Sequence, residues 1–453
     1  MARTTLLALT MLVLAMAWIS GCGGRSEQDL SIGEEIAKQR LVEQGRQELQ
    51  PVVVEGQDGP ARTLAELPFD LSWDLPLDAP VHASWLSENV PELLMVQLIT
   101  GEVLGINVYT GMTQWQSQPL PKPISLRPYV QRVVDLDPAT GEEIIDDRLY
   151  IISGDELYVI DCAYGQLIWR HHLGQNGIYG FQPSTGPYAI GTGENLRVFI
   201  GDWAGRVRVI SRHLGFDRSY HAWQWNLRAV PTAQPDGAEG LVYVGDRSGT
   251  MRCFPQERKL LWQYDALAAI RGTPFVRGYN IYFGGQDGVL HVLNRLSGRV
   301  MAKLFLGAEL SRQPFAFDDE PQSLYVWASN HGEMAGLHKI HTTDDRIRIE
   351  DVPDKAPLEV NRVARDWFLP NVNTLVASSP GKLYVTRANS TVILCVDRNN
   401  GEIEWHWDLA SDDHGTPDIT HLNVHQDPSD NVRSIITANS EGMLRVYRLF
   451  GHQ

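Results

Sequence analysis

The sequence predicts an all-β fold, an eight-bladed β-propeller of four-stranded antiparallel sheets closed by pairing an N-terminal strand with the C-terminal blade. Three observations carry this expectation. Short apolar runs recur eight times along the chain, beginning at Leu93, Leu149, Leu196, Leu241, Ile281, Leu324, Leu383 and Ser434. Each is followed by a glycine-rich or polar turn and a second run of strand type. The spacing, roughly 40 to 60 residues, suits one four-stranded sheet per repeat, with loop insertions accounting for the scatter.

The clearest unit is Leu157–Trp169, LYVIDCAYGQLIW. Its apolar run ends at Asp161, turns at Tyr164-Gly165 and resumes as Leu167-Ile168-Trp169, the pattern of two strands joined by a tight turn. The same hairpin returns at Gly105–Trp115 and at Ile393–Trp405, each time with glycine four residues ahead of tryptophan. Glycine supplies the positive φ that such a turn demands.

Taken in order, residues 1–21 read as an export signal: Arg3, an apolar run from Leu6 to Trp18, then Ile19-Ser20-Gly21 ahead of Cys22. The run is too short and too weakly flanked for a stable membrane span. From 22 to 67 the composition turns to Glu, Gln, Arg and Gly with few aromatics, which reads as a tether; Ser31–Leu49 has the material for one short amphipathic helix with Ile32 and Ile36 near one face. Residues 68–453 hold the repeats. Phe69–Leu75 precedes the first repeat and matches the outer strands of other repeats, while the last repeat stops at Gln453 where its own outer strand is due, so Phe69–Leu75 is expected to complete the last blade. Residues 133–147 look like an insertion, and the third and sixth repeats are degenerate.

The tryptophans at fixed repeat positions, Trp115, Trp169, Trp262 and Trp405, are expected to dock between adjacent sheets rather than stack on a ligand. In the fourth repeat Trp262 lacks the preceding glycine, and in the fifth Ala302 stands at the tryptophan position.

These residues resemble the quinoprotein (PQQ-like) β-propeller repeat, in which an Asp and a Thr-Gly or Asn-Gly turn are followed by a docking Trp. The resemblance covers about 68–453. Enzymes of that kind hold pyrroloquinoline quinone over the propeller axis, with calcium bound by Glu, Asn and Asp and often a disulfide between adjacent cysteines. Here none of the four cysteines is adjacent to another, no C-x-x-C-H haem site is present, and the chain is short for the insertions that surround the quinone. No cofactor, catalytic residue or metal site is therefore assigned. Cys162, Cys253 and Cys395, in the second runs of three repeats, read as buried unpaired thiols, although export leaves a pairing open.

The first 22 residues resemble the lipobox of bacterial lipoproteins, which implies a lipid anchor at Cys22 and a periplasmic chain on the outer membrane. Lipobox, short tether and single propeller together resemble the propeller lipoproteins of outer-membrane protein assembly. The expected partners are the membrane, through lipid on Cys22, and other envelope proteins. A net charge of −16 without clustered Lys and Arg argues against nucleic acid, and the chain is expected to be monomeric by itself. The function expected is a non-catalytic envelope scaffold; the alternatives are a quinone-dependent dehydrogenase relative or a ligand-binding sensor.

Two polar clusters stand outside the repeat. Asp412-Asp413-His414, Asp418, His421, His425 and Asp427 have metal-ligating side chains, but the spacing matches no helical pair or finger, and the prolines around them suit a solvated loop. His171-His172 would point to opposite faces of a strand.

Overall fold

The computed structural model describes residues 60–61, 69–86, 90, 92–136, 143–174, 182–192, 195–212, 219–233, 235–238, 240–255, 259–329, 333–342, 363–387, 390–409, 419–426, 433–439 and 441–449. The export signal, Cys22, the candidate helix at 31–49 and the acidic-histidine loop at 411–418 lie outside them. The fold described is that of residues 51–453.

Strand β1 (Phe69–Pro76) comes first and is set aside for closure. Blade one holds β2 (Val81–Leu86), β3 (Leu93–Leu98), β4 (Val103–Asn107) and β5 (Thr113–Gln116). Blade two holds β6 (Tyr129–Leu136), β7 (Glu143–Ser153), β8 (Glu156–Asp161) and β9 (Leu167–His172). Blade three holds β10 (Tyr188–Ile190), β11 (Arg197–Asp202), β12 (Arg206–Arg212) and β13 (Ser219–Asn226). Blade four holds β14 (Asp236–Ala238), β15 (Leu241–Gly245), β16 (Thr250–Pro255) and β17 (Trp262–Asp265). Blade five holds β18 (Phe275–Arg277), β19 (Asn280–Gly284), β20 (Val289–Asn294) and β21 (Val300–Phe305). Blade six holds β22 (Ser323–Ala328), β23 (Gly336–His341) and β24 (Ala364–Pro370). Blade seven holds β25 (Val372–Ser379), β26 (Lys382–Arg387), β27 (Val392–Asp397) and β28 (Ile403–Asp408). Blade eight holds β29 (Ile419–Gln426), β30 (Arg433–Asn439) and β31 (Met443–Leu449).

Seven of the eight apolar runs are second strands of their sheets, the run at Leu324 being the first strand of the sixth, and neighbouring strands pair antiparallel throughout. The eighth sheet is completed from the other end of the chain: β1 pairs with β31 from Phe69↔Leu449 to Pro76↔Met443. The ring closes as the sequence predicts. The sixth sheet departs from the expected four strands. Its innermost position is an isolated bridge, Phe315↔Tyr325, in which the two residues exchange both backbone hydrogen bonds. The expected insertion at 133–147 is instead an extension of the β6–β7 hairpin, paired continuously from Tyr129↔Tyr150 to Leu136↔Glu143.

The core is distributed. Eight hydrophobic clusters each join two adjacent sheets, for example Val96, Ile106, Ile436 and Val446 between blades one and eight, and Tyr243, Cys253, Ile281 and Phe283 between blades four and five. A sheet covered on both faces has no reason to alternate, and β3, β20 and β22 are buried at every residue. Outer strands keep the alternation, as in β9, where Trp169 is buried between exposed Arg170 and half-buried Ile168.

Candidate functional site

The two ends of the ring are built from different parts of each repeat. Antiparallel order places the turn between third and fourth strands at one end. The turn between second and third strands, and the connection to the next blade, lie at the other.

At the first end a side-chain-capped turn recurs. Asn107, Asp161 and Asn294 each use Oδ1 to accept the backbone N–H groups two and three residues on, at 2.7–3.1 Å; Asp397 Oδ1 accepts from Asn399 at 2.8 Å. The glycine four residues later donates back to the same residue's carbonyl. These glycines, Gly111, Gly165, Gly298 and Gly401, have φ between 69° and 78°. Each lies under a tryptophan of the preceding blade: a Cβ on Gly165 would stand 2.6 Å from the Trp115 ring, and Gly111, Gly298 and Gly401 meet Trp73, Trp262 and Trp367 in the same way. The indole N–H groups of Trp73, Trp115, Trp262 and Trp367 donate to the carbonyls of Val108, Cys162, Arg295 and Arg398, three residues before those glycines, at 2.6–3.0 Å.

The glycine ahead of each tryptophan therefore serves its predecessor: Gly165 receives Trp115, not Trp169. Trp169 and Trp405 are buried against Tyr150 and Tyr384. Register adds Trp73, Trp223 and Trp367 to the set, each paired across a bulge as Trp115 is. Trp367 escapes a four-residue spacing rule because residues 343–362 separate it from its third strand. Ala302 does occupy the tryptophan register in blade five, opposite Val292.

The other end gathers the inter-blade connections. Leu77, Leu173, Leu227, Ala266 and Leu306 each donate their backbone N–H to the carbonyl of a residue in the second-to-third turn of their own blade, namely Gly442, Asp155, Gly205, Gly249 and Gly288. This pins the connections down, and the proline that follows several of them, such as Pro80, Pro231, Pro274 and Pro314, turns the chain toward the axis.

Near the axis, side chains from distant blades meet. Arg127 Nη1, from the connection into blade two, donates to Gln313 Oε1, from the connection into blade six, at 3.3 Å. Gln313 Nε2 in turn donates to Pro274 O at 3.2 Å and lies 3.5 Å from Asp236 Oδ2 of blade four. Burial, with Asp236 nearby, pushes the Tyr129 phenol well above its ordinary pKa, so it stays neutral. Blades two, four and six are thus bridged across the channel by one arginine, one glutamine and one aspartate.

Beside this bridge lies a cavity of about 270 Å³ lined by Arg271, Glu309, Ser311, Arg312, Trp327 and Asn373 among others. A wider groove of about 800 Å³ runs between the outer strands of blades three and four, past Trp225, Phe254, Leu260 and Gln263.

Among the described residues no cluster of three metal-ligating side chains occurs; the side chains of His421 and His425, and residues 411–418, are outside them. Cys162, Cys253 and Cys395 are buried, and none of the three is in a disulfide among the described residues. Burial raises the Cys253 thiol to about 12, so it is protonated at neutral pH. His172 Nδ1 lies 3.6 Å from Asp155 Oδ2.

A protein-family model described as outer membrane protein assembly factor BamB matches residues 204–337, from the second-to-third turn of blade three into β23 of blade six. The crystal structure of BamB from Moraxella catarrhalis is similar at a TM-score of 0.52 and 15% identity, covering 85% of this chain and 98% of that one. Quinohemoprotein alcohol dehydrogenase from Comamonas testosteroni gives 0.51 and 10%, covering 85% and 77%. The WD40 domain of SCAP from fission yeast gives 0.54 and 9%, covering 84% and 98%. No curated protein matches. At such identities the solved structures share a fold, which hosts both assembly and redox proteins. What this chain shares with the assembly factor is the eight-bladed fold and a sequence match through blades three to six.

Proposed function

We propose that this protein is a non-catalytic scaffold of the bacterial cell envelope, anchored by lipid on Cys22 and working in outer-membrane protein assembly. The observation that carries the reading is the match of residues 204–337 to the assembly-factor family. The bridged channel supports it. By the quinoprotein resemblance a redox cofactor would lie over the axis, where Arg127, Gln313 and Asp236 instead tie blades two, six and four together.

The tether fits the same picture. Ala61 forms a parallel bridge with His406 on the open edge of β28, and His406 N–H donates to Pro60 O at 3.3 Å. Residues 60–61 thus lie at the outer rim beside blade seven. An outer edge that accepts one extended segment is the kind of surface on which strand addition to a client works.

Affinity purification of the full chain from detergent-solubilised membranes tests the proposal. Recovery of an outer-membrane assembly core, lost in a Cys22→Ser variant that no longer sediments with membranes, is the expected result. Clean recovery of the protein alone overturns it. Dye-linked alcohol or sugar oxidation after addition of pyrroloquinoline quinone and Ca²⁺ would favour a dehydrogenase instead.

A further inference from the structure

The cavity beside the channel is assembled from two inter-blade connections and two neighbouring strands. Arg271 comes from the connection between blades four and five, Glu309, Ser311 and Arg312 from that between five and six, Asn373 from the start of β25 in blade seven, and Trp327 and Ser329 from the end of β22 in blade six and the residue after it. The connections are fixed rather than loose. Ser329 N donates to Glu309 O at 2.6 Å, and Leu310 N donates to Gly285 O at 3.2 Å. Gly272 lets two of them touch, since a Cβ there would stand 2.5 Å from the Arg312 carbonyl oxygen.

The charges inside do not balance. Arg312 lies over the Trp327 ring at 5.7 Å and donates one Nη1 hydrogen bond to the Asn373 carbonyl. A guanidinium has five N–H donors, so four are left without an acceptor among the described residues, and no carboxylate there pairs with it. Partial desolvation draws its pKa below the ordinary arginine value, with no opposing carboxylate, while both Arg312 and Arg271 stay exposed at the cavity mouth, where their remaining N–H groups face solvent. Arg271 shares Glu309 at 3.8 Å, and Gln286 Nε2 also donates to Glu309 at 3.2 Å. Two guanidiniums against one carboxylate leave a positive pocket on a chain of net charge −16. Stacking on Trp327 orients the plane of Arg312, which suits two-pronged recognition of a planar or tetrahedral oxyanion.

We propose that this cavity is a binding site for a small organic oxyanion, a carboxylate or a phosphate, held by Arg312 and Arg271 with Ser311 and Ser329 at its sides. A cavity of about 270 Å³ takes a molecule of dicarboxylate or phosphate-ester size and not a folded chain. The proposal stands apart from the scaffold reading and does not need it.

Isothermal titration of the purified full chain with succinate and, separately, with inorganic phosphate tests it. At least one probe is expected to bind with a Kd well under roughly 10 mM, and which of the two binds identifies the oxyanion. Arg312→Gln should weaken that binding at least tenfold or so, Arg271→Gln by less, and Glu309→Gln should tighten it by removing the competing carboxylate. Circular dichroism and melting report whether each variant is folded, and Arg271→Gln with Glu309→Gln decides the matter if Arg312→Gln is not. Absence of binding by both probes up to about 10 mM, or binding that Arg312→Gln, or failing that the other two variants, leaves unchanged, overturns the proposal.

Discussion

Two buried histidines one blade apart are expected to contribute to the acid sensitivity of this fold. His291 on β20 and His338 on β23 each sit one residue before the bulge of their third strands, and both are buried. His291 Nδ1 meets Tyr264 OH at 3.0 Å with its ring stacked on Phe283, and His338 Nε2 meets Met334 O at 3.1 Å with its ring stacked on Phe368. Burial, aided by Lys303 for His291 and by Arg365 for His338, lowers both to about 3. A base whose folded pKa is depressed takes its proton more readily in the unfolded chain. Each ring therefore leaves stability untouched above about pH 6.5 and subtracts from it as pH falls from there toward 3, by up to about 1.4 kcal/mol per pH unit. His338→Phe should flatten the fall in denaturation midpoint between pH 6.5 and 4 while changing little at pH 8; an unaltered slope would refute the assignment.

At the scale of the element, the blade joint is a two-part device spread over two repeats. Trp115→Ala should cost about 3–5 kcal/mol, from the cavity, the lost contact area and the orphaned Cys162 carbonyl. Gly165→Ala adds a Cβ 2.6 Å from the same ring and strains a φ of 69°, for about 1–3 kcal/mol. Because both changes act on one contact, the double variant should destabilise by clearly less than the sum, read by urea denaturation. Additive losses would mean that the two residues work separately. The capped turns were legible residue by residue: Asp161 and Gly165 stand in the right order within one segment. The partner of Gly165 was not, since it lies 50 positions away by number, on another sheet.

At the scale of the whole molecule, closure joins the two ends of the ring. Strand β1 gives β31 its outer neighbour and places Phe69 and Trp73 into the joints on either side of blade eight, Phe69 beside Tyr384 and Trp407, Trp73 over Gly111 of blade one. Deleting 69–74 should expose an unpaired edge and lower the melting temperature markedly, with aggregation on heating; an unchanged transition would sink the closure model. An ion network fastens another joint in a different way. Arg398 of blade seven, fully buried, reaches Asp319 at 2.9 Å through both Nη atoms and Glu320 at 3.2 Å, on the blade-six side.

The amino-acid sequence by itself determined the number of blades, the strand that closes the ring and the positions of the turns, because hydrophobic runs, capping side chains and left-handed glycines act over a few residues. Only the tertiary structure decided which tryptophan meets which glycine, that the insertion at 133–147 is a lengthened hairpin, and that Arg127, Gln313 and Asp236 meet near the axis. The contacts near the axis join residues 77 to 186 positions apart through the ring's geometry, and no local pattern in the chain encodes a distance across a ring.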